Sequence, residues 1–328
     1  MQGENMADGT NRVVTPEQEQ DAPVAAKGHM VAARTLKLVP SGGVLFLAKP
    51  GLSREIFEEA VATYPLKSLG IVRPLIRGFL PFGDDEYATD YLLLAEDLIV
   101  LRLGLIKRNV PAPAISRLVK EKKSKPEFIG VKTSTLKSDS TQELLERAIP
   151  DERDSLIYYQ PSSGLLFVAD SRDAGAQEAI TLFTGMIPEL HVERWQAELS
   201  LINIMTRWLK EGPASLPDGL NFGQAARFLG PEKSVVTIKG QDPRQEHLLA
   251  HLDVEGVKVT ELAFENDPGV SLVLTESGFF RSLDLPKEIE PASGLTPALQ
   301  AHVFFEAASD LFSRLVNRIR EEIPVEDA

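Results

Sequence analysis

The sequence predicts an α+β fold: antiparallel sheets, packed helices and a projecting two-helix arm. Three observations carry the prediction. Short apolar runs of strand length are separated by turn residues, helical runs follow capping signals, and a lysine-rich segment joins two helix-like stretches.

Val44 to Ala48 is a short apolar strand, and Ser53 then opens a helix to about Thr63, with Glu55 favourably placed at the positive end of its dipole. Tyr91 to Leu105 reads as a hairpin turning at Glu96 and Asp97, with Ile99, Leu101 and Leu103 alternating against Arg102. A helix from about Ala112 to Lys123 stops before Pro126, and a second is expected to start at the capping box Ser140 to Glu143 and to run to Ile149. These two helices form the arm, residues 110–150.

Leu156 to Tyr159 and Leu165 to Ala169 flank a Pro161 to Gly164 turn, and Asp173 is expected to cap a helix to about Phe183. Gly43 to Ala48 and Gly164 to Ala169, each followed by a helix, resemble a weak internal duplication. Further on come a helix from about Ala197 to Lys210, a strand from Ser234 to Lys239, and a helix starting at Asp242 and Pro243. Three strands follow, near Val257 to Phe264, Val270 to Thr275 and Phe279 to Leu285. The C-terminal amphipathic helix, residues 297–322, places Phe304, Ala308, Leu311, Leu315 and Ile319 on one face, as core or subunit interface.

The 328 residues are 43% hydrophobic and 25% charged, the composition of a globular protein. The first 33 residues are the exception. Rich in Gln, Glu, Asp, Gly, Asn and Pro, they read as a disordered tail preceding a folded unit over 34–328. The absence of cysteine excludes disulfides, thiolate nucleophiles and Cys-based metal sites, and no apolar run reaches the roughly 20 residues of a membrane span.

The net charge of −13 argues against a polyanionic partner, but it is unevenly spread. From Arg102 to Lys137 ten Lys or Arg face two acidic residues, a local charge of +8 that leaves −21 on the rest. A solvated helix face would account for such a run, and so would a phosphate-binding surface.

No enzyme signature emerges. Neither Pro150-Asp151 nor Pro217-Asp218 is followed by the Glu-x-Lys that a metal-dependent nuclease requires at a useful distance. His247 and His251 share a helical face without an evident third ligand and read as solvated surface.

Several segments in order resemble RdgC, the bacterial recombination-associated family, over roughly Leu36 to Ile323. They are Leu52 to Glu55, Gly78 to Pro81, Leu98 to Val100 with Val110 to Ile115, and Leu136-Lys137 with Leu144-Leu145 and Arg147-Ala148. Gly164 to Val168, Met205 to Leu209, Val235 to Asp242 and Val259 to Ala263 complete the set. The resemblance implies a non-enzymatic, cofactor-free, cytoplasmic and nucleoid-associated protein. It would form a homodimeric ring around double-stranded DNA without sequence preference and restrain recombinase loading.

Lys239 and Gln241 match the family's Lys-Lys-Gln-Asp element, where the ammonium would meet phosphate and the amide phosphate or sugar. Arg102, Lys107 and Arg108 on the hairpin, with Lys132, Lys137 and Arg147 in the arm, are the other candidate DNA contacts. Ile115, Leu118 and Ile149 are candidate dimer contacts. Gly240, Glu261 and Asp284 replace basic residues of the family and Ile149 replaces an aromatic one, so the lining is expected to be less positive and the closing contact smaller. A protein-interaction module of the same fold that has lost most DNA affinity is the alternative.

Overall fold

The computed structural model describes residues 37–66, 73–82, 90–195, 200–267, 269–288 and 294–321. The expected tail, 1–33, lies outside them. In chain order the strands are β1 (Gly42–Leu47), β2 (Leu75–Leu80), β3 (Leu92–Ala95), β4 (Leu98–Lys107), β5 (Asp151–Tyr159), β6 (Leu165–Ala169), β7 (Glu193–Arg194), β8 (Leu220–Leu229), β9 (Val235–Lys239), β10 (Lys258–Asn266), β11 (Ser271–Thr275) and β12 (Phe279–Asp284). The α-helices are α1 (Arg54–Thr63), α2 (Ala112–Lys123), α3 (Thr133–Arg147), α4 (Asp173–Met186), α5 (Leu201–Glu211), the single turn α6 (Glu246–Leu249) and α7 (Pro297–Glu321).

All these strands belong to one sheet, ordered β2-β4-β5-β6-β1-β12-β11-β10-β8-β9, with β3 beside β4 and β7 beside β1. Every named strand pair is antiparallel. The protein is therefore a mixed α/β molecule with an antiparallel sheet. The chain closes the sheet's middle with its two ends, since β1 takes β12 on one side and β6 on the other. The similar segments around β1 and β6 lie side by side, with Leu45 opposite Phe167.

The strict alternation of a strand divides the core into two layers. Leu45, Tyr158 and Phe167 point to one face, where α5 and α7 bring Trp208, Phe304, Leu311 and Phe312. Val44, Phe46, Tyr159 and Leu166 point to the other, where α1 and α4 bring Phe57, Ala60, Ile180 and Phe183. Because β4 to β6 and β1 are covered on both faces, they read as continuous apolar runs. The stripe Phe304, Ala308, Leu311, Leu315 and Ile319 of α7 is fully buried, and Tyr158 stacks on Phe305 at 5.9 Å.

Several local readings change. The helix expected at Ser140 begins at Thr133, so Ser140 and Glu143 are mid-helix residues. Ser140 is completely buried, and Glu143 reaches Lys122 across the helical pair at 2.9 Å instead of capping its own helix. Asp173 is the first residue of α4, after Arg172, and it pairs with Arg194 at 2.7 Å. Asp242 opens no helix. Its carboxylate accepts the Arg244 N–H at 2.9 Å in an Asx turn, and α6 starts at Glu246.

Candidate nucleic-acid interface

Among the described residues, two surfaces gather several cations each. The first is the pair α2 and α3, which pack against each other through half-buried Ile115, Leu118 and Val119 and buried Leu136 and Leu145. Their outer surface carries Arg117, Lys120, Lys123, Lys132 and Lys137, exposed and given no ion pair among the described residues. Other cations of the pair are engaged. Lys122 meets Glu143 and lies over the Phe128 ring at 5.9 Å, Arg147 meets Glu143 at 2.8 Å, and Lys125 meets Glu121 at 3.0 Å. Lys122 and Arg147 hold the Glu143 carboxyl below its ordinary value, chiefly through the Lys122 hydrogen bond.

The second surface is the face of β8 to β12 on the side of α1 and α4, which those helices leave open. Cross-strand partners share a face. Ala225 opposite Lys239, Thr237 opposite Arg227, Arg227 and Thr275 opposite Glu261, Leu229 opposite Lys258, and Val273 opposite Arg281 therefore gather Lys239, Arg227, Lys258, Glu261 and Arg281 on it. The opposite face of the same strands holds Ala226, Phe228, Ile238, Leu262 and Phe280 in the core with α5 and α7. Glu265, Ser271 and Asp284 continue the open face to an acidic end.

Glu261 is 7% exposed and sits between two arginines. Its Oε1 accepts from Arg227 Nη1 at 3.3 Å and its Oε2 from Arg281 Nη2. A cavity of about 450 Å³ opens over this triad, edged also by Arg172, Thr260, Thr275 and Glu276.

Lys239 ends the edge strand β9 in solvent, with exposed Gln241 just beyond it. Gly240 between them has φ +68° and donates its N–H to the Gln224 carbonyl at 2.8 Å. The turn is clamped from below: Arg244 Nε and Nη2 donate to the Asp242 carboxylate at 3.0 and 2.7 Å, and the guanidinium lies over the Phe222 ring at 5.5 Å. The Arg244 hydrogen bond holds the Asp242 carboxyl below the usual aspartate value.

The remaining sequence candidates fall elsewhere. Arg102 is 6% exposed, its Nε donating to Asp154 at 2.8 Å and its Nη1 to the Pro81 carbonyl at 3.3 Å. Its charge is spent inside the protein. Lys107 leans on Glu178 of α4 at 3.6 Å, and the Arg108 Nη1 is buried without a hydrogen-bond partner among the described residues. Ile149 stands 89% exposed after α3, with Ile129 at 79% exposed in the α2–α3 connection. Sequence reading missed the Arg227–Glu261–Arg281 triad, whose members lie on three separate strands, and the Arg244 clamp. Among the described residues no group of three or more His, Asp or Glu could hold a metal ion.

Fold and site define an antiparallel-sheet α/β protein whose solvent-facing cations gather on a helical pair and an open sheet face. The chain belongs to the family described as "Putative exonuclease, RdgC", which matches residues 46–323. Among its relatives, a protein named recombination-associated protein RdgC from Colwellia psychrerythraea is 28% identical over 178 residues, 52% of this chain and 57% of the relative. One of the same name from Herminiimonas arsenicoxydans is 31% identical over 192 residues, 55% of this chain and 61% of the relative. The chain thus spans about six-tenths of the length of these relatives. The family description names an exonuclease, whereas the relatives are named for recombination.

Proposed function

We propose that this chain is a non-enzymatic protein of DNA recombination that binds double-stranded DNA without sequence preference. Two copies close into a ring around the duplex, a nucleoid-associated state in which occupied DNA restrains recombinase loading. The observation that carries this reading is the cluster of exposed cations on the α2–α3 pair, given no ion pair among the described residues, in a chain of net charge −13. A ring exposes only its lining to the duplex, so an acidic outer surface costs little at short Debye lengths. The exposed Ile149 and Ile129 supply apolar area for contact between copies, the helical pair acting as the projecting arm.

The proposal is tested by titrating the full chain onto unrelated duplexes at several salt concentrations. Binding is expected to be equal across sequences and to fall with a log–log slope of about −0.9 per phosphate neutralised. A slope near zero, or affinity restricted to one sequence, overturns it.

A second reading, a protein-interaction module with little DNA affinity, draws on the open face. There Glu261 pairs with two arginines and cancels half of their charge, and Glu265 and Asp284 make one end acidic. Absence of duplex binding at low salt, with the homodimer intact, would favour it.

A further inference from the structure

We infer that the open sheet face contains a two-arginine anion site built for a phosphate group and occupied by the chain's own Glu261 carboxylate. The inference deepens the duplex-binding reading, and rests on it where the phosphate belongs to a DNA backbone.

Register and hydrogen bonding together define the site. Arg227 on β8 and Arg281 on β12 flank Glu261 on β10, with β11 between Glu261 and Arg281. One carboxylate oxygen goes to each guanidinium. Two guanidiniums converging on one oxyanion is the arrangement by which arginine recognises carboxylate and phosphate alike. The burial is lopsided: the Glu261 side chain is 10% exposed, while those of Arg227 and Arg281 are 45% and 44% exposed. The anion is therefore at the floor of the cavity and the cations form its walls, open to a group entering from solvent.

Charge explains why the site is shut. Arg172, Arg227 and Arg281 edge the cavity together with Asp173, Glu261 and Glu276. Asp173 is committed to Arg194, so Glu261 is the carboxylate that holds the two facing guanidiniums. A phosphate must compete with a buried, covalently tethered carboxylate whose effective concentration is high. Removing that one charge, while keeping the side chain's volume, leaves two guanidiniums without a counter-ion.

The test uses the full chain and its Glu261→Gln variant, with inorganic phosphate followed by calorimetry and duplex DNA by anisotropy. The variant is expected to bind phosphate at least about tenfold more tightly than the parent, and adding Arg281→Ala should abolish the gain. Its duplex salt slope should steepen by about one to two units. Unchanged phosphate affinity overturns the inference. Tighter phosphate binding with unchanged duplex binding leaves the anion site standing and shows that this face does not meet DNA.

A measurement on the parent background covers the case in which Glu261→Gln unfolds. With Glu261 in place, Arg281→Ala should leave the duplex slope nearly unaltered, whereas loss of a cation in direct phosphate contact lowers it by about one unit. A full-unit loss would show that the guanidinium already faces phosphate, and would overturn the inference.

Discussion

Arg102 is buried on β4 with Asp154 2.8 Å from its Nε, whereas Lys239 ends β9 in solvent, so two residues of equal charge should answer a DNA titration differently. Arg102→Ala strands a largely buried carboxylate and is expected to cost about 3 kcal/mol of stability, read as a lowered urea midpoint. Lys239→Ala is expected to leave stability nearly unchanged, to weaken binding equally on unrelated duplexes and to make the salt slope shallower by about one unit. Gln241→Ala should weaken binding at constant slope, because a neutral amide displaces no counter-ion. A change of slope with Gln241→Ala, or none with Lys239→Ala, would remove this turn from the interface. Restoring the family's lysine at Gly240 meets a backbone obstacle: at φ +68° a non-glycine residue costs roughly 1 kcal/mol, which offsets the added charge.

At the scale of elements, the clamp below that turn has a testable sign. Asp242→Asn keeps the Asx turn but loses the ion pair to Arg244. If only charge mattered, deleting an anion beside Lys239 would tighten duplex binding; if the clamp holds Gln241 in place, binding should weaken at unaltered slope, and we expect the weakening. The clamp is also pH-dependent. Because Arg244 depresses the Asp242 carboxyl, its contribution is fully present above the unfolded aspartate value of about 3.9 and is lost as pH falls through the lower folded value. An NMR titration should place Asp242 below ordinary aspartates, and Arg244→Ala should return it toward them. The helical pair makes a second prediction: Ile149→Asp puts a charge on the exposed apolar residue between α3 and β5 and should shift sedimentation toward monomer without lowering the melting temperature.

These elements also show how much the sequence disclosed. β1, β3, β4, β5, β6 and the stripe of α7 were legible because strands covered on both faces give short continuous apolar runs and a core-facing helix enforces period 3.6. β2 and β8 were not. Glycine at Gly78 and Gly223 breaks their runs, and β8 bulges against β10 between Leu262 and Phe264, which interrupts its alternation. Lys239 and Gln241 could be singled out because they are close together in sequence and match a short family element. The arginines around Glu261 could not, since their meeting depends on strand order, and a sequence without its pairing partners does not state that order.

At the scale of the whole molecule, one continuous sheet carries both cationic surfaces: β4 and β5 flank the α2–α3 pair at one end, and β8 to β12 bear the open face at the other. Residues 1–33 are rich in Gln, Glu, Asp, Gly, Asn and Pro and contain no Ile, Leu, Phe, Trp or Tyr, and deleting them should leave melting temperature and duplex affinity within error of the full chain. The ring itself calls for a topological test. A protein held only by phosphate contacts leaves linear and covalently closed circular DNA alike when salt is raised, because both lose the same counter-ion-release free energy. A closed ring threaded on a circle has no end to slide from and can leave only by opening an apolar contact, which salt does not weaken. After loading at low salt and a jump to high salt, the full chain should therefore remain on closed circles while linear duplex of the same sequence is stripped. Cutting the circle afterwards should release the protein, and Ile149→Asp should be stripped from both. Equal stripping from circle and line by the unaltered chain would leave the contacts standing but show that two copies do not close around the duplex.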